Sequence, residues 1–195
     1  HYPFFNPNAI TNFSQKIWRN RIITDPFEPG STMKIFAAAS AIETGNCSPN
    51  RIFFCENGSY RISGKVVRDI KAHGWLSLQQ IIKYSSNIGA VKIAERTGRK
   101  KIYQNLRKFG FGEKTGIDAP GEVDGVLSHY SRWSKIDVGA ISFGHGLAVT
   151  ALQLVRAVGA IANDGELMKP YLVKAITDSE GRVVKEYRPE RVRRV

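Results

Sequence analysis

Pro29-Gly30-Ser31-Thr32-Met33-Lys34 runs directly into Ile35-Phe36-Ala37-Ala38-Ala39-Ser40-Ala41-Ile42, with Gly45 shortly after. The apolar spacing predicts a helix from Thr32 to Thr44, stopped by Gly45. Its surplus of alanine implies close packing on most sides. Ser31 stands at the helix start, where backbone N–H groups are free and the helix dipole favours developing negative charge. Lys34 lies three residues on, so its side chain rises over the same face. A serine hydroxyl is a weak nucleophile until a neighbouring base takes its proton. Neutral lysine can be that base, but its usual pKa of about 10.4 must first be depressed, by burial or by a second positive charge. The pair alone decides little, because many ordinary helices open with a Ser cap and carry Lys one turn later.

Support lies downstream. Ser85-Ser86-Asn87 follows Ser31 by 54 positions and falls between two predicted helices. The first opens at a capping box, Ser77-Leu78-Gln79-Gln80, and reaches about Tyr84; the second runs from Ile88 to Arg96 before Gly98. Such a turn can set a hydroxyl and a carboxamide on one side of a cleft. Lys101–Phe109 reads as a further helix, and a glycine-rich loop spans Gly110 to Gly125. Thr150-Ala151-Leu152-Gln153 is a second capping box, starting a helix to about Asn163. Beyond Gly165 the period becomes two, and Tyr171–Thr177 with Arg182–Tyr187 reads as a β-hairpin before a basic tail. Upstream, Arg51–Cys55 and Tyr60–Val67 are short β-like pieces around Asn57-Gly58. Residues 1–30, broken by Pro3, Pro7, Pro26 and Pro29, read as an extended lead-in.

The whole sequence sets bounds on these readings. Its 195 residues, 42% hydrophobic and 24% charged, have an ordinary globular composition. The longest apolar run, Ile35–Ile42, is eight residues and carries Ser40, too short to span a membrane. The chain begins at His1 and reads as an excised piece. A net charge of +12 raises the question of nucleic acid, yet only Arg188–Arg194 is dense and no recognition motif accompanies it. Nucleic-acid binding is therefore not expected; a solvated basic face or attraction to an anionic surface polymer both fit. Cys47 and Cys55 fit no zinc spacing, while a disulfide and two free thiols both stay open. His1, His73, His129 and His145 form no ligand spacing, so no metal or other cofactor is expected. Trp18, Trp75 and Trp133 are expected in core or groove lining.

Taken together, Glu28-Pro29-Gly30-Ser31-Thr32-Met33-Lys34, Ser85-Ser86-Asn87, Phe109-Gly110-Phe111-Gly112 with Thr115-Gly116-Ile117, Gly144-His145-Gly146, Thr150–Leu154 and Ala162-Asn163-Asp164-Gly165 resemble the transpeptidase domain of penicillin-binding proteins. The resemblance covers nearly the whole chain and is nearest to class B, the monofunctional D,D-transpeptidases, of the cell-division (septal) type. It implies an α+β fold, a helical subdomain against an antiparallel sheet with the active site at their junction. Here that means residues 31–165 as helical subdomain and 166–195 as hairpin and tail, with much of the sheet missing. It implies Ser31 as acylated nucleophile, Lys34 as general base, Ser85 as proton relay and Asn87 as binder of the substrate amide. Substrates would be peptidoglycan stem peptides ending in D-Ala-D-Ala, and β-lactam antibiotics would acylate the same serine. The parent would be anchored in the bacterial plasma membrane, with this domain facing the periplasm or cell exterior beside a glycosyltransferase or divisome partner.

One departure stands out. The family's third box, Lys-Thr/Ser-Gly on an edge strand, has no counterpart after Gly165, and Lys114-Thr115-Gly116 falls where the family keeps a structural turn. Without that wall Lys34 is expected to face water and stay protonated, leaving the chain inert. Two other readings remain at this stage: a serine β-lactamase or β-lactam sensor, for which Glu95, Glu113 or Glu122 would have to activate water, and a non-catalytic interaction module.

Overall fold

The computed structural model describes residues 6–12, 14 and 17–195. In chain order its elements are α1 (Arg21–Thr24), α2 (Met33–Glu43), β1 (Ile52–Phe54), β2 (Ser59–Ile62), β3 (Lys65–Arg68), β4 (Trp75–Ser77) and α3 (Leu78–Tyr84). Then come α4 (Asn87–Thr97), α5 (Arg99–Lys108), α6 (Lys135–Ser142), α7 (Ala151–Ala162), β5 (Glu166–Met168), β6 (Ala175–Thr177), β7 (Val183–Glu186) and β8 (Arg191–Arg194). The class is α+β. All described strands pair antiparallel and in twos: β1 with β4, β2 with β3, β5 with β8, and β6 with β7.

Contacts divide the chain into two units, each assembled from separated stretches. One comprises Glu28–Lys108 and Val126–Ala148, and the other comprises the stretch ending at Phe27, Phe109–Gly125 and Val149–Val195. This division cuts across the expected 31–165 subdomain, because the loop after α5 and helix α7 belong with the C-terminal strands.

In the first unit α2 packs against α3, α4, α5 and α6, as its alanine content required. Phe36, Ala37, Ala38 and Ala41 are buried on it. The core continues through Cys47, Phe53, Cys55, Ile62, Val67, Leu76, Leu78, Ile81, Ile88, Val91 and Ile93. Helix α4 sits close to its neighbours because glycines face them. A Cβ on Gly89 would lie 2.5 Å from Cγ1 of Ile81, and one on Gly139 would lie 3.1 Å from Cγ2 of Val91. Ser77 and Gln80 form the expected capping box on α3. Tyr60–Val67 is a tight hairpin rather than one extended piece, turning at Ser63-Gly64 where both residues have positive φ. Helix α6 was not anticipated, although Ser134 caps it and Asp137 returns the bond.

In the second unit α7 packs on β5 and on α1. The Thr150–Gln153 box opens α7, and the buried Gln153 also donates to the carbonyls of Glu113 (2.7 Å) and Asp124 (2.9 Å). The basic tail is strand β8, with Leu167 opposite Arg193 and Arg193 paired to Glu113. The lead-in is not extended throughout: Pro7–Asn12 is 3-10 helical and Arg21–Thr24 is α-helical, capped by Asn20. The expectations on Pro3 and His1 lie outside the described residues.

Among the described residues no helix is long and apolar enough to cross a membrane, and no cluster of three or more His, Cys, Asp or Glu could hold a metal. Cys47 and Cys55 are both free and buried, and burial pushes both thiols up. Trp133 is core and donates to Ser128 Oγ at 2.9 Å. Trp75, expected in core or groove lining, is outside the core at 69% exposure, resting on Phe54.

Candidate active site

Gly30, at φ +58°, starts a short 3-10 turn through Thr32 that passes into α2. This turn leaves Ser31 exposed while Lys34 points inward and is only 2% exposed. The turn is held from behind by the loop after α6. Gly30 N–H donates to Gly144 O at 3.2 Å, and a Cβ on Gly144 would fall 2.0 Å from Gly30 O, so position 144 accepts only glycine. Beside it Glu28 accepts from Gly146 N–H at 2.9 Å and bonds His145 Nδ1 at 2.7 Å, and these contacts hold its carboxyl below the usual range.

Lys34 Nζ is the centre of the arrangement. It lies 3.1 Å from Ser31 Oγ, 2.9 Å from Ser85 Oγ, 2.6 Å from the Ser85 carbonyl oxygen and 2.8 Å from Asn87 Oδ1. The structure thus brings together all four residues singled out in the sequence. The link between α3 and α4 produces this convergence. Ser85, in the left-handed region at φ 56° and ψ 42°, ends α3 and turns its carbonyl toward Lys34. Ser86 caps α4 by accepting from Gly89 N–H at 2.9 Å. Asn87, the first residue of α4, donates from Nδ2 to Arg68 O at 3.0 Å, which leaves Oδ1 facing the ammonium.

The expectation that Lys34 faces water is therefore overturned. The Ser85–Asn87 turn covers it, and burial lowers its pKa from 10.5 to about 8, against an opposing pull from the Asp69 carboxylate. At pH 7 about a tenth of such lysines are neutral. Proton counting shows what the neutral form can do. Two of the four neighbours, Ser85 O and Asn87 Oδ1, can only accept. They take the two N–H bonds of a neutral amine, and its lone pair is left for a hydroxyl, that of Ser31 or Ser85. In the neutral form the lone pair can accept a hydrogen bond from either serine hydroxyl.

Asp69 escaped the sequence reading. Its Oδ2 accepts from Ser86 Oγ at 2.6 Å, and its Oδ1 from the backbone N–H groups of Asn87 (2.5 Å) and Ile88 (3.0 Å). Lys114-Thr115-Gly116 is a turn stitched by Glu122. The Thr115 N–H (2.7 Å) and hydroxyl (2.5 Å) donate to Oε1, and the Gly116 N–H (3.0 Å) donates to Oε2.

A family model described as the penicillin binding protein transpeptidase domain matches residues 2–195. The chain is 37% identical over 176 residues to penicillin-binding protein PbpB of Mycolicibacterium smegmatis, covering 89% of this chain and 27% of that protein. It is 35% identical over 163 residues to peptidoglycan D,D-transpeptidase FtsI of Escherichia coli, covering 84% of this chain and 27% of that protein. Among solved structures, penicillin binding protein 3 of Mycobacterium tuberculosis complexed with aztreonam superposes with a TM-score of 0.85 at 34% identity, covering 97% of this chain and 43% of that one. The fold is that of a penicillin-binding transpeptidase domain. The chain belongs to the penicillin-binding protein transpeptidase family, and its relatives are of class B. It spans less than a third of the length of the two named proteins.

Proposed function

We propose that the protein carrying this chain is a peptidoglycan D,D-transpeptidase that works through an acyl-enzyme on Ser31. The observation that supports this reading best is the convergence on Lys34 Nζ of two hydroxyls and two obligate acceptors. In the proposed reaction neutral Lys34 takes the Ser31 proton as Oγ attacks the carbonyl carbon of the penultimate D-Ala. Negative charge develops on the carbonyl oxygen near the helix start. The amide C–N bond then breaks, and the proton reaches the leaving D-Ala amine from Lys34 through the Ser85 hydroxyl. Asn87 Nδ2 is tied to Arg68 O and Oδ1 to Lys34, so its amide would turn outward only when substrate replaces one of these bonds. An amine from a second stem peptide next attacks the ester, giving up a proton by the same route and freeing Ser31. β-Lactams would open on the same oxygen.

Three carboxylates that a β-lactamase reading would need are engaged elsewhere. Glu95 accepts from the Tyr60 hydroxyl, Glu113 pairs with Arg193, and Glu122 holds the Thr115 turn. The similarity to FtsI supports a role in septal wall synthesis. With it go a plasma-membrane anchor, an orientation toward the periplasm or cell exterior, and a glycosyltransferase or divisome partner.

The test is intact mass after incubation with excess penicillin. The full-length protein is expected to gain one adduct, which Ser31→Ala abolishes; an adduct that survives Ser31→Ala overturns the assignment. The isolated chain, with no Lys-Thr-Gly or Lys-Ser-Gly after Gly165, is expected to label far more slowly. The reason is that each oxyanion donor supplied by such a strand is worth about 10²–10³ in rate.

A further inference from the structure

Four backbone N–H groups begin every α-helix without a partner inside it. At α4 their partners are unusual. Gly89 N–H goes to Ser86 Oγ, a local cap of ordinary kind, and the N–H of Ser86 itself goes back to Ile81 O of α3 at 3.0 Å. The other two, from Asn87 and Ile88, go to one oxygen of Asp69, which lies 18 and 19 positions earlier, just past the end of β3. The second Asp69 oxygen takes the Ser86 hydroxyl, and the adjacent Arg68 carbonyl takes the Asn87 side-chain amide. Residues 68 and 69 thus hold Asn87 by backbone and side chain at once. This two-point grip leaves Asn87 Oδ1 one direction, toward Lys34 Nζ.

We propose that Asp69 is a positioning residue for the Ser31–Lys34 pair, its carboxylate clamping the Ser85–Asn87 turn so that two fixed acceptors aim the Lys34 lone pair at a serine hydroxyl. The inference rests on the transpeptidase reading of that pair. Capping is part of what Asp69 does, because the first turn of α4 is buried and Ser86 Oγ serves only the Gly89 N–H; the aim of Asn87 Oδ1 at Lys34 is the further consequence. Nor is the carboxylate neutral to the chemistry. Asp69 is the charged group that opposes burial in setting the protonation of Lys34. Geometry and charge can be separated, because asparagine keeps an acceptor oxygen for the Asn87 and Ile88 N–H groups while removing the charge.

The experiment compares wild type, Asp69→Asn and Asp69→Ala in the full-length protein. It reads the second-order rate of acylation by a fluorescent penicillin against pH, and separately the titration of Lys34 by its 13Cε shift. Asp69→Ala is expected to slow acylation about 100-fold, the cost of a misplacement near 1 Å. Asp69→Asn should recover most of that rate, and both its acid limb and its Lys34 titration should move to lower pH. A wild-type rate in Asp69→Ala overturns the proposal. So does an Asp69→Asn protein whose limb and Lys34 titration both stay in place, since a pure cap would behave that way. Should Asp69→Ala fail to fold, Asp69→Asn still decides. Failure of wild type to label would sink the transpeptidase reading, and the Lys34 titration would still judge the clamp by itself.

Discussion

Ser31-Thr32-Met33-Lys34 and Lys114-Thr115-Gly116 each set a lysine near a threonine or serine hydroxyl, and they are opposite in physical character. In Ser31-Thr32-Met33-Lys34 the hydroxyl is exposed and the lysine buried. In Lys114-Thr115-Gly116 the lysine is exposed and the hydroxyl buried. The first arrangement raises the free energy of a charged group and offers the result to solvent, where a substrate can meet it. The second ties the Thr115 hydroxyl and the N–H groups of Thr115 and Gly116 to Glu122. Letters alone do not separate a reactive pair from a structural turn; the side that bears the desolvation does.

The largest expected difference between them is in rate. Lys34→Met should lower acylation of the full-length protein by penicillin about 10³-fold, the usual weight of a general base. Lys114→Met should leave it unchanged. Stopped-flow labelling of both variants measures the contrast, and equal losses would erase the distinction. The pH profile sharpens it: wild-type acylation should fall as pH drops below about 8, where Lys34 takes up its proton. Lys114→Met should keep that limb.

A second difference concerns stability. The folded state releases the Lys34 proton at about 8, the unfolded chain at 10.5. Between those values the unfolded state binds more protons, so stability rises with pH. Below about pH 8 both states hold the proton and the burial penalty is present in full. The difference corresponds to about 3 kcal/mol. Denaturant titrations from pH 7 to pH 10.5 should therefore show wild type gaining on Lys34→Met by that order. Parallel curves would mean that Lys34 is not held in a desolvated site.

How far these contrasts could be read from the sequence depends on how local their causes are. That Ser31, Lys34, Ser85 and Asn87 come together was expected from the two motifs in combination and the family they resemble, since each motif alone looks like an ordinary helix end. The boxes at Ser77 and Thr150 were legible because caps and spacing leave marks at a helix end. The burial of Lys34 was not, because it comes from a turn 51 positions away. Asp69 sits beyond a short strand and bonds N–H groups that no local pattern assigns to it. The pairing of β5 with β8 likewise joins residues more than 20 apart, so its basic half looked like a tail. Helix α6 left a weaker mark, since Asp137 closes its box where Glu or Gln is the usual signal.

The smallest predicted effect falls on the structural turn. Glu122 takes two bonds from Thr115 on one oxygen and one from Gly116 on the other. In Glu122→Gln the amide oxygen can still face Thr115, but the amide nitrogen then confronts the Gly116 N–H, donor against donor. Reversing the amide serves Gly116 and strands Thr115. The second choice strands the buried Thr115 N–H at about 1–3 kcal/mol, so the amide should keep its oxygen on Thr115 and leave exposed Gly116 to water, for a net loss of about 1 kcal/mol. Chemical denaturation of the full-length variant should show that loss while acylation of the folded fraction keeps its wild-type rate and pH limb. A slowed acylation with unchanged stability would place Glu122 in the chemistry and break the contrast between the two lysine motifs.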